Sequence, residues 1–222
     1  MRGGVLAILL CAAPLASAQT TFTVGATSDY RVRGLTYSGG SPSVSAGVNR
    51  DFDSGWYAGG TAARARVPNT GVNAVGQVYA GYAARLNAAV SWEAGAARTV
   101  FHGGSGIWNY GEVYAGVALE RIGARLYYSP HYYGSGEQAW YGEVNGTWPL
   151  SERWDVTAHA GRLRTGETYA YGRYTTGGRT DLRLGLTWTL DAWSAWAAWS
   201  DTRGNTAGRP ARGLAIGLTR VF

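Results

Sequence analysis

The sequence predicts an all-β protein, a closed antiparallel transmembrane β-barrel of about 12 strands. Three observations indicate this class. Apolar and polar residues alternate over segments of about ten residues, and turns containing Gly, Asp or Asn separate these segments. The mean hydropathy is near neutral at −0.17, because lipid-facing and interior-facing residues cancel in any window. The chain has 10 Trp residues, and most of them lie at the ends of the alternating segments.

Residues 1–18 have the features of a cleaved secretory signal peptide. A positively charged N-terminus precedes a short apolar run, and Ala16-Ser17-Ala18 matches an A-x-A cleavage site. The apolar run is far shorter than the roughly 20 residues of a membrane-spanning helix. The one cysteine, Cys11, lies inside this segment. We therefore expect residues 19–222 to form a single outer-membrane β-barrel without thiol groups, which suits passage through an oxidising compartment.

Residues 21–34 show the alternation most clearly. Phe22 and Val24 belong to an apolar face, whereas Asp29 and Arg31 belong to a polar one. Successive side chains of a strand point to opposite faces, so this pattern predicts a strand. A transmembrane strand needs about 9–11 residues. The stretch therefore predicts one membrane-spanning strand with its apolar face toward lipid and its charged face toward the lumen.

The same pattern continues along the chain. Tight turns are predicted near residues 53, 87, 121, 152 and 191, with longer loops between them, the longest being the Tyr/Gly-rich segment 165–179. Short turns at one end and long loops at the other, with both chain termini at the short-turn end, are typical of outer-membrane barrels. The further predicted strands lie near residues 44–50, 56–67, 77–86, 90–99, 112–120, 122–131, 140–150, 154–163, 180–190, 193–202 and 212–222.

Tryptophan positions support the barrel independently. Trp favours the membrane–water boundary, so a barrel is expected to carry a belt of these residues at each end. The terminal Phe222 ends an outward-facing row and is similar to the signal that the barrel-assembly machinery recognises. Outer-membrane lipid and lipopolysaccharide are the other expected partners. The predicted belt next to the short turns comprises Trp56, Trp92, Trp148, Trp154, Trp188 and Trp193.

Two sequence elements carry a resemblance to a known family. Residues 28–34 read SDYRVRG, and residues 51–59 read DFDSGWYAG. Together they resemble the TorF-type porin family of Gram-negative bacteria, over roughly residues 24–60. The rest of the chain matches that family only in length, strand rhythm and its terminal Phe, and residues 35–37 depart from its more polar tripeptide. The resemblance implies an outer-membrane barrel and says little about its substrate.

Alternation also places charged residues toward the lumen. One interpretation is a charged pore in which arginines guide anions. The alternative is that these charges pair with one another and brace the barrel. We expect Arg31, Arg33, Arg64 and Arg66 to form a positive surplus near the outer mouth. The lumen-lining candidates are Arg31, Arg33, Arg64, Arg66, Arg85, Arg125, Arg183, Asp29, Glu93, Glu112 and Glu143.

Several function classes are disfavoured. The 20 basic residues are all Arg and the net charge is +6, but the arginines are scattered singly, so nucleic-acid binding is not expected. His102, His131 and His159 lack the spacing of metal ligands, and neither a metal nor a cofactor is expected. Ser129 and His131 share a predicted face, as in outer-membrane phospholipases, but no third catalytic member is fixed by spacing.

The sequence therefore predicts a porin in the outer membrane of a Gram-negative bacterium that passes small hydrophilic solutes, with anions favoured by the arginines. Two alternatives remain open. One is a non-conducting structural or surface-binding barrel that uses residues 165–179 for its contacts. The other is a lipid-modifying enzyme built on Ser129, although no enzymatic activity is expected.

Overall fold

A computed structural model describes residues 19–67, 70–104, 109–134, 137–170, 173–205 and 209–222. The predicted signal segment, residues 1–18, lies outside the described residues and stays a prediction. Within the described ranges, the chain forms a closed antiparallel barrel and one small two-stranded sheet. The small sheet pairs β2 (Arg31–Val32) with β3 (Leu35–Thr36). The barrel strands are β1 (Gln19–Thr27), β4 (Ser43–Asp51), β5 (Trp56–Arg64), β6 (Ala74–Arg85), β7 (Ser91–His102), β8 (Tyr110–Ala118), β9 (Ile122–Ser129), β10 (Ala139–Pro149), β11 (Trp154–Ala170), β12 (Arg173–Leu190), β13 (Trp193–Gly204) and β14 (Arg212–Val221).

The barrel closes by pairing its first strand with its last. Strands that follow one another in the barrel pair as antiparallel neighbours, and β1 pairs with both β4 and β14. At the closure, Thr23 lies opposite Val221 and Thr27 opposite Gly217. Closure leaves no strand edge unpaired, which is the condition for crossing a bilayer with strands. The predicted all-β, twelve-stranded barrel is confirmed.

The outer wall is apolar and exposed. On β14, Leu214, Ile216 and Leu218 are 68%, 57% and 44% exposed, whereas Ala215 and Gly217 between them face the interior. Exposing such rows of apolar side chains to water is unfavourable, whereas contact with the hydrocarbon of a bilayer is favourable. In the part of the chain that the structure describes, no helix combines the length and apolar character needed to span a membrane.

The two ends of the barrel differ. At one end, called the turn end, neighbouring strands are joined by turns of a few residues, and both Gln19 and Phe222 lie there. At the other, called the loop end, the connections are longer. Trp140 and Trp199 lie on the outer wall toward the loop end, 47% and 45% exposed. The six Trp residues predicted as a belt lie on the outer wall at the turn end: Trp56, Trp92, Trp148, Trp154, Trp188 and Trp193.

The segment predicted as the longest loop, residues 165–179, is mostly strand. β11 runs to Ala170 and β12 begins at Arg173, so the two extend the wall past the other strands. Their backbone pairing continues across a shift of register between Arg164 and Glu167. The prediction of a loop from the Gly and Tyr residues of this segment is wrong, because backbone pairing with a neighbouring strand is not visible in composition.

The predicted first strand, residues 21–34, is wrong in its second half. β1 ends at Thr27, and the chain then turns into the barrel. Arg33 and Gly34 adopt positive φ angles of 47° and 76°, which form the turn between β2 and β3. Alternation continues through this region because a second, shorter hairpin has the same two-residue period.

Candidate functional site: the lumen of the barrel

Residues 28–42 fold into the lumen and are called the interior hairpin. Thr36 and Ser38 are 0% and 2% exposed, although they belong to a connection between two barrel strands. Gly34, at the tip, lies against Asp181 of β12 and Thr202 of β13 so closely that a Cβ atom would overlap both. The positive φ and the close approach both require glycine at this position.

Asp29 organises the interior hairpin. Its Oδ1 accepts hydrogen bonds from Thr36 Oγ1, from Ser38 Oγ at 3.0 Å and from the Gly40 amide at 3.3 Å. Its Oδ2 accepts a bond from Arg31 Nε at 2.6 Å. Burial raises the pKa of Asp29, but the hydrogen bonds from Thr36 and Arg31 outweigh it and hold this pKa below the ordinary value. The carboxylate therefore stays charged and keeps the hairpin folded.

Arg33 anchors the hairpin to the far wall. Its guanidinium donates to both oxygens of Glu112 on β8, at 2.6 and 2.9 Å, in a bidentate pair. The same group lies 4.6 Å from the centre of the Tyr127 ring and 4.3 Å from that of Tyr141. Since β8 lies nearly opposite β1 in the strand order, this contact crosses the lumen.

Apolar packing fills the interior around the hairpin. Leu35 and Tyr37 are 3% and 2% exposed, and the Tyr37 ring lies 5.5 Å from that of Phe101. The Arg66 amide donates to the Tyr37 carbonyl at 2.6 Å, which ties the hairpin to the end of β5. The loop-end half of the lumen is therefore packed like a protein core.

Two further arginines surround the hairpin without an acidic partner among the described residues. Arg179 Nε donates to the Arg33 carbonyl at 3.0 Å, and Arg209 Nη1 donates to the Thr36 carbonyl at 3.4 Å. Sequence analysis missed both because they lay in segments predicted as loops. Arg179 continues the interior-facing row of Asp181 and Arg183, so a longer β12 would have revealed it.

A charged network crosses the middle of the lumen. Arg125 Nε donates to Glu93 Oε1 at 2.6 Å, and Tyr57 OH donates to Glu93 Oε2 at 2.7 Å. Tyr127 OH donates in turn to Glu143 at 3.2 Å. Buried charge of this kind is stable only with partners, so this network braces neighbouring strands.

A second network, also missed from the sequence, joins β10, β11 and β12. His159 Nε2 lies 2.8 Å from Asp181 Oδ1, and its Nδ1 lies 2.7 Å from Asn145 Oδ1. Tyr141 OH lies 3.1 Å from His159 Nε2. These partners are 14 to 40 residues apart in sequence, so spacing gives no signal for them.

The turn-end half of the lumen contrasts with the loop-end half. Thr23, Asn49 and Thr157 face it, and none of them is fully buried. Arg183 lies 4.7 Å over the Trp196 ring and makes no ion pair with a described residue. This half keeps a largely polar wall and is not crossed by the hairpin.

Two of the lumen-lining candidates are wrong. Arg64 and Arg66 are exposed on the outer wall, whereas Ala63 and Ala65 face the interior. The two faces of β5 are both rich in Ala and Gly, so its alternation does not distinguish them. Tyr57 decides the orientation, because its hydroxyl reaches Glu93 inside the barrel.

The remaining candidates lie on the interior side, but they do not form the predicted positive surplus. Arg31 is paired with Asp29 and Arg33 with Glu112, so the expectation that these arginines are free near the mouth is wrong. Arg85 lies at the exposed turn end of β6. The candidates on the interior side are Arg31, Arg33, Arg85, Arg125, Arg183, Asp29, Glu93, Glu112 and Glu143.

Ser129 and His131 do not form a hydrolytic pair. Ser129 is 1% exposed and its Oγ has no hydrogen-bond partner, whereas His131 is exposed and makes no hydrogen bond to it. Within the described ranges, no group of three His, Cys, Asp or Glu side chains is arranged to hold a metal ion.

Solved porins have the same fold. The KdgM porin in complex with disordered oligogalacturonate matches with a TM-score of 0.57 and 11% identity, over 92% of this chain and 99% of that chain. The NanC porin matches with a TM-score of 0.57 and 14% identity, over 90% and 98%. The COG4313 outer membrane channel from Pseudomonas putida F1 matches with a TM-score of 0.54 and 12% identity, over 94% and 97%.

No curated protein matches the sequence. The resemblance to TorF-type porins, with its SDYRVRG element, stays a prediction. A family model described as a bacterial protein of unknown function matches residues 12–214. The chain therefore belongs to this family, Gcw_chp.

Proposed function

We propose that the protein is an outer-membrane channel of a Gram-negative bacterium, narrowed by its interior hairpin, for small hydrophilic solutes with a preference for anions. The observation that carries this proposal is the contrast along the lumen. A polar, uncrossed turn-end half leads to a level where arginines without acidic partners surround the hairpin.

The charge at the hairpin supports an anion preference. Arg31, Arg33, Arg179 and Arg209 lie at this level, against the carboxylates of Asp29, Glu112 and Asp181. Since Asp29 and Glu112 are used in ion pairs with Arg31 and Arg33, Asp181 offsets one of the other two arginines and one positive charge is left over. A net positive constriction raises the local concentration of anions and repels cations.

The structural relatives support the same class of function. Three similar chains are porins or outer-membrane channels, and one was solved with an oligogalacturonate. Export through a signal peptide and assembly through the terminal Phe222 complete the proposal. The Phe222 amide donates to the Phe22 carbonyl at 2.9 Å, so the terminal residue lies at the seam where the barrel closes.

Conductance in planar bilayers tests the proposal. The refolded protein should give small stepwise currents, and a salt gradient should give a reversal potential biased toward anions. The double variant Arg179→Gln/Arg209→Gln should lose most of this bias, whereas Arg121→Gln at the turn end should keep it. Silent membranes from correctly folded protein, or a bias toward cations, would contradict the proposal.

One observation favours a second candidate, a non-conducting barrel. The loop-end half of the lumen is a packed core, in which Thr36 and Tyr141 are 0% and 1% exposed. If the hairpin never leaves this position, the protein spans the membrane without passing solutes. Silent wild-type membranes together with currents from a protein that lacks the hairpin would favour this candidate. No observation favours the lipid-modifying enzyme.

A further inference from the structure

Five arginines lie on the lipid-facing wall at the loop end. Four of them lie on the outward side of β5, β7 and β11, and the fifth lies just beyond the end of β5. Each is exposed. Along the same strands, the neighbours on this face are Ala62, Ala96, Val100 and Ala160. The five are Arg64, Arg66, Arg98, Arg162 and Arg164, called here the outer arginine belt.

The outer arginine belt differs from the interior arginines in its pairing within the described part of the protein. None of its members forms an ion pair there, whereas Arg31, Arg33 and Arg125 inside the barrel each pair with a carboxylate. Arg162 Nη1 donates to Thr180 Oγ1 at 2.5 Å, which leaves its other donors free. The described outward residues at the loop ends of β5 to β12 include no Asp or Glu.

The position of the outer arginine belt indicates which anionic groups can bind to it. Arg164 pairs across the strands with Trp140, an exposed aromatic residue of the kind found at the membrane boundary. A guanidinium on a lipid-facing wall is costly unless it extends to the polar boundary, where lipid phosphates lie. Its planar fork of donors matches phosphate oxygens in a bidentate arrangement.

The wall below Arg162 is shaped for an acyl chain. A shallow depression of about 650 Å³ runs over β8 to β12, and its lining is almost entirely apolar. Gly142 and Ala160 leave room beside Leu126 and Val144, and Arg162 with Thr180 lies at the edge of the depression. An apolar groove next to an unpaired arginine fits an amphiphile with an anionic head group.

A second cleft lies at another part of the belt. Arg64 and Arg66 line a space of about 290 Å³ together with Ser41 and Pro42 of the interior hairpin. A serine hydroxyl and two guanidinium groups around one space are suited to a phosphate. The first cleft lies on the outer wall and the second at the loop-end rim, between the interior hairpin and the end of β5, so the belt offers more than one phosphate contact.

We propose that the outer arginine belt binds lipopolysaccharide through the phosphates of its lipid A, with an acyl chain in the groove beside Arg162. The loop end faces the outer leaflet if the protein lies in the outer membrane as proposed above. The phosphorylated glycolipid of that leaflet supplies both the phosphates for the arginines and the acyl chain for the groove. The inference depends on that location, but it does not depend on channel activity.

Lipid retention in native mass spectrometry tests the proposal. The detergent-purified protein is mixed with diphosphorylated lipid A, with the same lipid lacking both phosphates, or with phosphatidylglycerol. Diphosphorylated lipid A should bind at least about tenfold more tightly than either of the others, which corresponds to about 1.4 kcal/mol. Equal binding of the dephosphorylated lipid or of phosphatidylglycerol would overturn the proposal.

Matched variants locate the site. Arg162→Gln/Arg164→Gln and Arg64→Gln/Arg66→Gln/Arg98→Gln should each weaken lipid A binding several-fold, and their combination should abolish the preference for phosphate. Arg121→Gln/Arg153→Gln at the turn end, which removes as many charges as Arg162→Gln/Arg164→Gln, should leave it unchanged. If a Gln variant does not fold, the corresponding Arg→Lys variant should keep part of the binding.

Gly142→Leu fills the groove and leaves every arginine in place. It should weaken binding of acylated lipid A and have no effect on the phosphate preference. Unchanged affinity in all arginine variants would contradict the proposal. Because binding is measured on protein in detergent, a silent channel would leave this result unaffected, and failure of the channel proposal can be distinguished from failure of this one.

Discussion

The two halves of the lumen are built on the same alternating strands but differ in how they are filled. The turn-end half has a polar wall with half-buried residues such as Thr23 and Asn49. In the loop-end half, the interior hairpin crosses the space and buries Leu35 and Tyr37. The wall alone therefore does not decide whether the barrel is open. One connection between β1 and β4 decides it.

Removing the interior hairpin should have the largest effect. Thr27 and Ser43 are paired across β1 and β4, so residues 29–41 can be replaced by a short Gly-Ser turn without moving either strand. Since a twelve-stranded barrel lies between side-chain-filled and water-filled sizes, we expect conductance to rise about fivefold or more. Single-channel recording measures this change. The double variant Ala88→Gly/Ala89→Ser, in a turn-end connection, should conduct as the wild type does. Equal currents from the deletion and the wild type would show that the hairpin does not limit the lumen.

Breaking the ion pair that spans the lumen should have the next largest effect. Arg33→Met or Glu112→Leu alone leaves a buried charge without its partner, which costs about 3–5 kcal/mol of unfolding free energy. The double variant removes both charges and should recover much of this loss. Urea unfolding in detergent or lipid vesicles measures the free energy of unfolding of the two single variants and of the double variant. The exposed pair of Glu120 and Arg121 is the control, and Arg121→Met should cost less than about 1 kcal/mol. Additive losses in the double variant would contradict the pairing.

Titration of Asp29 should release the hairpin only in acid. Because the pKa of this carboxyl is depressed in the folded protein, its contribution is fully present above the ordinary value of about 3.9 and is lost as the pH falls through the depressed pKa. We therefore expect the small conductance of the narrowed channel to persist from pH 7 to about 4, and larger conductance steps, which we call openings, to appear only below that. In Asp29→Asn, these openings should already be frequent at pH 7. Asp155→Asn, in the turn-end half, should not change them. Openings that begin near pH 6 would point to another group.

A change in the turn-end half should have the smallest effect. Arg183 contacts the Trp196 ring and has no described acidic partner, so Arg183→Gln should change stability by less than about 1 kcal/mol. The reversal potential should move slightly toward cations, since one interior positive charge is lost. A large loss of anion preference in this variant would show that anion selectivity arises in the turn-end half and not at the hairpin.

The strands could be predicted from the sequence because alternation is a local property. The row of Leu182, Leu184 and Leu186 has the same meaning wherever the strand lies in the barrel. The orientation of β5 could not be predicted, because Ala and Gly on both of its faces carry no preference. Arg64 and Arg66 then take the outward side, where a snorkelling arginine is tolerated near the membrane boundary.

The candidate site was predicted less well than the fold. Asp29, Arg31 and Arg33 were identified, but alternation cannot distinguish a strand that continues outward from a hairpin that turns inward. The contact between Arg33 and Glu112 joins residues 79 positions apart, and no local pattern encodes it. Of the two interpretations of the interior charges, mutual pairing describes Arg31 and Arg33 better than a positive surplus without partners.

Thiol labelling of Thr36 tests most directly whether the interior hairpin occupies the lumen. Thr36→Cys introduces a thiol at a fully buried position, and Thr219→Cys introduces one on the half-buried turn-end wall. Both are labelled with a small charged methanethiosulfonate in detergent, on refolded residues 19–222, which contain no other Cys. We expect Cys at position 36 to react at least about tenfold more slowly than Cys at position 219, because the hairpin must leave its position before the reagent can reach it. Equal labelling rates would contradict the account.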